Sequence, residues 1–392
     1  MSKLAVKNNR ILRSQQVLNA LIAIIRPYVP LDLQNTRITA EDIIAVLGYA
    51  SVHRISIDAA SHELKEAPSA NRLREVLAQA LPDRATLQRA LNTILRMQTP
   101  RFIKKGKRAY YMAIDLTLIP YHGEHYADEK EIIRSQPKSG TTHFHGYASV
   151  SIVHDNQRFV VALRFVEKGE SMQEIVAWLF DRLKSIGISI KRAYLDKGFC
   201  SVPVLKTLQR RKIKFIMPMP VRGKSGGVRK LFEASASYKT TYIFNSPKHG
   251  ELKVSAVAVK KYSKGRYQRK GTRWFAYAVA GLPNSVEPHQ VFELYRQRFG
   301  IETSYRQMNQ VRARTTSRNP VIRLLLVGLA FILFNLYIAN RQHFAICLKN
   351  PTKPFSKFWL TLRRLARMLA QAVENLFDLA DVVSRHTHVT LS

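Results

Sequence analysis

Between residues 110 and 219 the hydrophobic pattern runs first at the strand period and then alternates strand with helix, an order that only a few folds can accommodate. Residues 110–118, 147–154 and 158–167 are rich in Val, Ile, Tyr and Phe, side chains that suit a pleated, half-buried surface. Asp155-Asn156 separates the last two runs as a turn, so three antiparallel strands are expected to come first. The spacing then becomes helical over 171–186, before a short apolar run that closes at Asp196. A second helical stretch, 202–211, leads to a strand over 214–219. Strands followed by a βαβ alternation predict an α/β sheet layered with helices.

That order matches an RNase H-like sheet, in which the first and fourth strands lie side by side. Asp115, at the end of Tyr110-Tyr111-Met112-Ala113-Ile114, would then neighbour Asp196, which opens Asp196-Lys197-Gly198-Phe199. A third acid lies in the helix-patterned stretch that begins at Pro288. There Tyr295, Arg298, Glu302 and Asn309 are separated by three, four and seven positions, which places them on one face of a helix. Alone, Arg298 and Glu302 read as an exposed ion pair worth about a few tenths of a kcal/mol. Together with two aspartates at strand ends, Glu302 reads as the third member of a carboxylate trio. Three carboxylates delivered to one point can hold two divalent metal ions and cut a phosphodiester.

The partner follows from charge. The chain has 392 residues, with 63 Lys and Arg against 27 Asp and Glu, a net charge of +36 and a pI near 10.5. Such an excess argues for a polyanion, and nucleic acid is the default one. Its densest expression, Lys260-Lys261-Tyr262-Ser263-Lys264-Gly265-Arg266-Tyr267-Gln268-Arg269-Lys270, interleaves cations with tyrosine, which suits backbone neutralisation and base stacking. The segment lies within 220–286, read as a largely β insertion opened by a basic loop around Gly223, Gly226 and Gly227. Residues 1–100 look helical, with Thr39 and Asp42 in capping-box spacing. Apolar-periodic segments at 56–64 and 69–81, broken at Pro68, fit a helix-turn-helix with Arg72 and Arg74 exposed; they fit a plain helical hairpin equally.

Other features are weighed down by their ordinary explanations. Cys200 and Cys347 offer neither a disulfide framework nor a cysteine zinc site and suit a reducing cytoplasm. The spacings of His122, His125, His143 and His145 fit no common zinc framework, and these residues are expected to line DNA or the surface. Cys200 is expected to be a packed thiol, and Trp178 and Trp274 core residues. Val17–Ile25 is read as an amphipathic helix, not a leader, and the long apolar run at 321–338, which contains Arg323 and Asn335, as a buried core helix, not a membrane span. The tail at 356–384 carries Leu, Ala and Val at helical spacing beside Arg363, Arg364 and Arg367: a helix that packs, dimerises or touches DNA.

These residues resemble a DDE transposase of prokaryotic insertion sequences, in the group with a Tyr-x2-Arg-x3-Glu-x6-Lys signature. The resemblance rests on Asp115 in Ala113-Ile114-Asp115, on Asp196-Lys197-Gly198-Phe199, and on Tyr295, Arg298 and Glu302, over roughly residues 100–345. It departs at the last position, where Asn309 stands for lysine, so that Arg306 or Arg312 substitutes for a phosphate contact or the contact is missing. The resemblance implies an RNase H-like core interrupted by a β-rich insertion, with an N-terminal helical DNA-binding domain (1–100), core parts at 101–219 and 287–345, the insertion at 220–286, and a helical tail (346–392). It implies Asp115, Asp196 and Glu302 as catalytic ligands of two Mg2+ or Mn2+ ions, and phosphate positioning by Tyr295, Arg298 and Lys197. It further implies double-stranded element ends and target DNA as partners, a homodimer pairing two ends, and a place at the nucleoid in the cytoplasm. Two rival readings keep part of this: an RNase H-fold nuclease or resolvase without transposition, and a non-catalytic DNA-binding descendant of a transposase.

Overall fold

The computed structural model describes residues 11–34, 36–105, 108–123, 130–154, 157–264, 270–296, 307–347 and 360–380. The chain divides into two compact units, one from residues 1–98 with 307–392 and one from 99–306.

The first unit is helical. Helices α1 (Ser14–Ile25), α2 (Ala40–His53), α3 (Ile57–Glu63), α4 (Ala70–Ala80) and α5 (Arg84–Gln98) come from the amino-terminal part of the chain. Thr39 accepts from Asp42 N while Asp42 caps Thr39 N, so α2 starts at the expected capping box. Ser56 caps α3, and α4 begins directly after Ser69. Between α2 and α3 the chain bends by 103°, with Arg54 in the left-handed region at φ 61°.

Two further helices join this unit: α10 (Pro320–Cys347) and α11 (Leu362–Phe377). Residues 307–345, expected with the catalytic core, instead cluster with the amino-terminal helices. The reason is the composition of α10, which from Leu324 to Leu336 is buried on every side and therefore needs helices all around it. Gly328 lets α5 approach closely, since a Cβ there would meet Leu91 side-chain atoms at 2.5–3.0 Å. Polar side chains in and around α10 bond to backbone: Arg323 donates to Ser317 O at 2.6 Å, Asn340 to Leu336 O at 2.8 Å, and Gln98 of α5 to Ile332 O at 2.9 Å. By length and composition Pro320–Arg341 could cross a membrane; in this unit it is the core. The apolar face of α11 packs on α1 and α2, and Arg363, Arg364 and Arg367 remain exposed.

The second unit starts with a short helix, α6 (Arg101–Lys105), and is built on one sheet of nine strands among the described residues. These are β1 (Tyr110–Pro120), β2 (Ile133–Lys138), β3 (Thr141–His154), β4 (Gln157–Val166), β5 (Ile190–Leu195), β6 (Phe215–Pro218), β7 (Tyr238–Ser246), β8 (Gly250–Lys264) and β9 (Lys270–Ala280). Strands β1, β3 and β4 are antiparallel neighbours, β5 runs parallel to β1, and β6 parallel to β5. This is the expected RNase H-like arrangement, with β1 beside the fourth core strand. β3 and β4 pair as far as His154 opposite Gln157, and the Asp155-Asn156 turn lies outside the described residues.

Two features go beyond the expected pattern. β2 pairs with the start of β3; its polar sequence IRSQPK, with Ile133 as its only large apolar residue and Pro137 in it, carries no strand period and suits an edge. The β-rich stretch at 220–286 extends the same sheet, because β9 pairs antiparallel with β6 and β8 and β7 follow outward. Helices α7 (Met172–Ser185), α8 (Val202–Arg210) and α9 (Pro288–Arg296) cover this unit's sheet.

Candidate active site

The site grows from a mismatch in strand length. β1 and β5 stay in parallel register through Met112–Ala193 and Ala113–Tyr194 to Ile114–Leu195, where their pairing ends. β1 continues to Pro120 against β3 alone, while the chain after β5 turns into a short 3-10 helix, Lys197–Phe199, closed by a bond from Phe199 N to Asp196 O at 3.0 Å. Asp115 and Asp196 are each the first residue beyond the last paired position. Neighbouring strands lie about 4.8 Å apart, so the register alone brings the two acidic positions together. Met112–Ile114 and Ala193–Leu195 are fully buried, whereas both aspartates are half-buried. An apolar run thus ends on an accessible carboxylate at the carboxyl edge of parallel strands, where open α/β sheets place their ligands. Asp115 Oδ1 accepts from Leu116 N at 2.9 Å, and Asp115 stands opposite Ser149 of β3. Lys197, next to Asp196, is exposed.

α9 is fastened to the same strand end. Val291 and Tyr295 form its buried face, Phe292 meets Phe275 of β9 edge-to-face at 4.8 Å, and Tyr295 lies 5.2 Å from Tyr277. The Tyr295 hydroxyl donates to Leu195 O at 3.2 Å. Tyr295 was expected to position a phosphate; with only 3% of its surface exposed, its task here is to tie α9 to the residue before Asp196. Neither Leu195 O nor this tie is visible in a motif, although the 291-292-295 spacing marks the helix face that makes it.

Glu302, Arg298 and Arg306 lie outside the described residues, as do Arg266 and Arg269. Of the expected helical stripe, only Tyr295 and Asn309 can therefore be placed. Asn309 opens a 3-10 turn, Asn309–Val311, and belongs to the helical unit. Arg312, the candidate substitute for the missing lysine, donates from Nε to Asn309 Oδ1 at 3.2 Å.

The basic candidates are likewise distributed. Lys261 is committed within the protein: its ammonium pairs with Glu293 of α9 at 2.5 Å and sits 3.7 Å over the Phe292 ring. Lys261 and then Arg296 hold the Glu293 carboxyl below its ordinary range. Lys260 reaches Ser235 O at 2.9 Å and lies 5.6 Å over Trp274. Lys264 and Lys270 face each other in the β8–β9 register, at the end of the hairpin. In the helical unit, Arg72 pairs with Glu75 at 3.2 Å and Arg74 with Asp58 at 3.5 Å.

The histidines divide. His145, expected to line DNA or the surface, is instead buried edge-on against Tyr121 at 5.3 Å, because its position in β3 shares with Tyr147 a face that packs on Phe165. His143 is half-buried and bonds Thr142 Oγ1 at 3.2 Å, His122 is exposed, and His125 lies outside the described residues. No three His, Cys, Asp or Glu side chains gather as a metal cluster among the described residues. Cys200 is buried as expected, and desolvation pushes its thiol up to about 12.

A family model described as a transposase DDE domain matches residues 107–336. Among solved structures, the chain is similar to a piggyBac transposase in a synaptic complex with hairpin DNA. The identity is 12%, the TM-score is 0.59, and the match covers 94% of this chain and 81% of that one, which is a likeness of fold. No curated protein sequence matches the chain.

Proposed function

The chain belongs to the DDE-domain transposases, and from that membership we propose that Asp115, Asp196 and Glu302 are its catalytic carboxylates, acting on the ends of a mobile DNA element. It is a DNA transposase, an enzyme whose family depends on divalent metal. The observation that carries the residue assignment is the parallel β1–β5 register, which puts Asp115 and Asp196 one step past Ile114 and Leu195 on adjacent strands. An all-oxygen donor set of carboxylates on a half-buried strand edge fits a hard divalent cation.

Two Mg2+ or Mn2+ ions held there would supply charge neutralisation at the attacked phosphate and an activated oxygen nucleophile. The chain's own residues hold and orient. Asp115 and Asp196 present carboxylate oxygens from a rigid sheet, and Glu302 completes the set. Lys197, exposed beside Asp196, meets a phosphate of the cut strand. Arg298 suits a bidentate phosphate contact, and Arg306 or Arg312 takes the place of the family's lysine at Asn309. Lys264 and Lys270, with Arg266 and Arg269 between them in sequence, together with Arg72 and Arg74, bind the DNA backbone. The active form is a homodimer that pairs two element ends, cuts them free and joins them to target DNA with the same carboxylates.

Incubation of paired inverted-repeat ends, target plasmid and Mg2+ tests this reading. Joined products from the parent protein and none from Asp196→Ala are expected. Nicking without joining would favour a nuclease or resolvase, and DNA binding with no metal-dependent nicking would leave only a non-catalytic binder.

A further inference from the structure

We propose that Tyr295 is a positioning residue whose hydroxyl holds the strand end bearing Asp196 against α9. The inference rests on the carboxylate reading above. Its basis is the bond from Tyr295 Oη to Leu195 O at 3.2 Å, one residue before Asp196 and at the last position where β5 pairs with β1. A phenol with 3% of its surface exposed cannot also reach a DNA phosphate. α9 has other holds: Val291 is fully buried, Phe292 packs on Phe275, and Glu293 is clamped by Lys261 and Arg296. Those contacts fix the helix on β8 and β9, whereas the Tyr295 hydroxyl bonds directly to the backbone that presents Asp196. A directional bond controls distance in a way that apolar packing does not. Divalent ions with near-octahedral geometry penalise a ligand set that is loosely spaced.

Tyr295→Phe keeps the ring and removes only the hydroxyl. It is expected to leave Kd for element-end DNA within about twofold, since no contact to DNA is lost. It should slow single-turnover nicking at saturating DNA about tenfold, raise the Mn2+ concentration for half-maximal rate, and weaken Mn2+ binding measured calorimetrically without DNA. Phe292→Leu, which loosens α9 without touching the hydroxyl, should lower the melting temperature more than Tyr295→Phe and leave Mn2+ binding unchanged. Parental rate and metal dependence in Tyr295→Phe would overturn the proposal. So would a weaker DNA Kd with a parental rate at saturation, equal metal effects in the two variants, or a larger melting-temperature loss in Tyr295→Phe than in Phe292→Leu. Asp196→Asn, run alongside, isolates the carboxylate reading: if it still nicks, that reading fails whatever Tyr295 does.

Discussion

The helical unit and the sheet unit spend their polar residues differently. Within the helical unit, buried polar side chains are consumed by nearby backbone: Gln98 by Ile332 O, Asn340 by Leu336 O, Arg323 by Ser317 O. Such bonds satisfy side-chain donors that would otherwise be buried unpaired in a tight core. In the sheet unit, the paired stretches Met112–Ile114 and Ala193–Leu195 are buried, and each is followed directly by a half-buried carboxylate. The helical unit turns these side chains onto its own backbone; the sheet unit presents two acids at the sheet's carboxyl edge, where a ligand can reach them.

The contrast is sharpest for Asp196. Asp196→Ala should lower Mg2+-dependent nicking by at least about 10^3-fold, as expected for several kcal/mol of lost metal-assisted stabilisation, with a melting temperature close to the parent's. A large fall in melting temperature would show that the strand-end acid is structural. Phe334→Ala is the converse: with Phe334 1% exposed in α10, it should cost about 3–5 kcal/mol in denaturant unfolding, while the folded fraction nicks at the parental rate. Gly328→Ala, which thrusts a methyl into Leu91, should cost about 1–3 kcal/mol by overpacking; an unchanged unfolding midpoint would mean that α5 and α10 do not approach as closely as described.

The smallest effect concerns the clamp on α9. Because Glu293 has its folded pKa depressed by Lys261 and Arg296, its contribution is present above the ordinary carboxylate range and is lost as pH falls through the depressed value. The opening free energy of α9 amides, from hydrogen exchange corrected for its intrinsic pH dependence, should be constant above the ordinary carboxylate range and fall only below it. Opening near neutrality would show that the clamp does not hold the helix.

Most strands and helices were legible because side-chain period is a local property: β1, β3–β6 and β7–β9, α7, α8 and α11 all overlap their expected ranges. β2 was not, since an edge strand with one large apolar residue has no buried face to write a period. The acids Asp115 and Asp196 were legible as residues that end apolar runs. His145 was misplaced because a histidine looks the same in sequence whether its strand position faces solvent or the core.

By itself, then, the sequence determined the α/β order, the buried character of α10 and the identity of the two strand-end acids, because burial and secondary structure respond to neighbours a few residues away. Tertiary structure alone decided that residues 307–347 join the amino-terminal helices, that 220–286 prolongs the core sheet, and that Tyr295 and Lys261 serve the fold. Each of these depends on a partner distant in sequence: Leu195 for Tyr295, Glu293 for Lys261, Leu91 for Gly328. Such pairings are chosen by which surfaces meet when the chain collapses, and no local pattern records that choice.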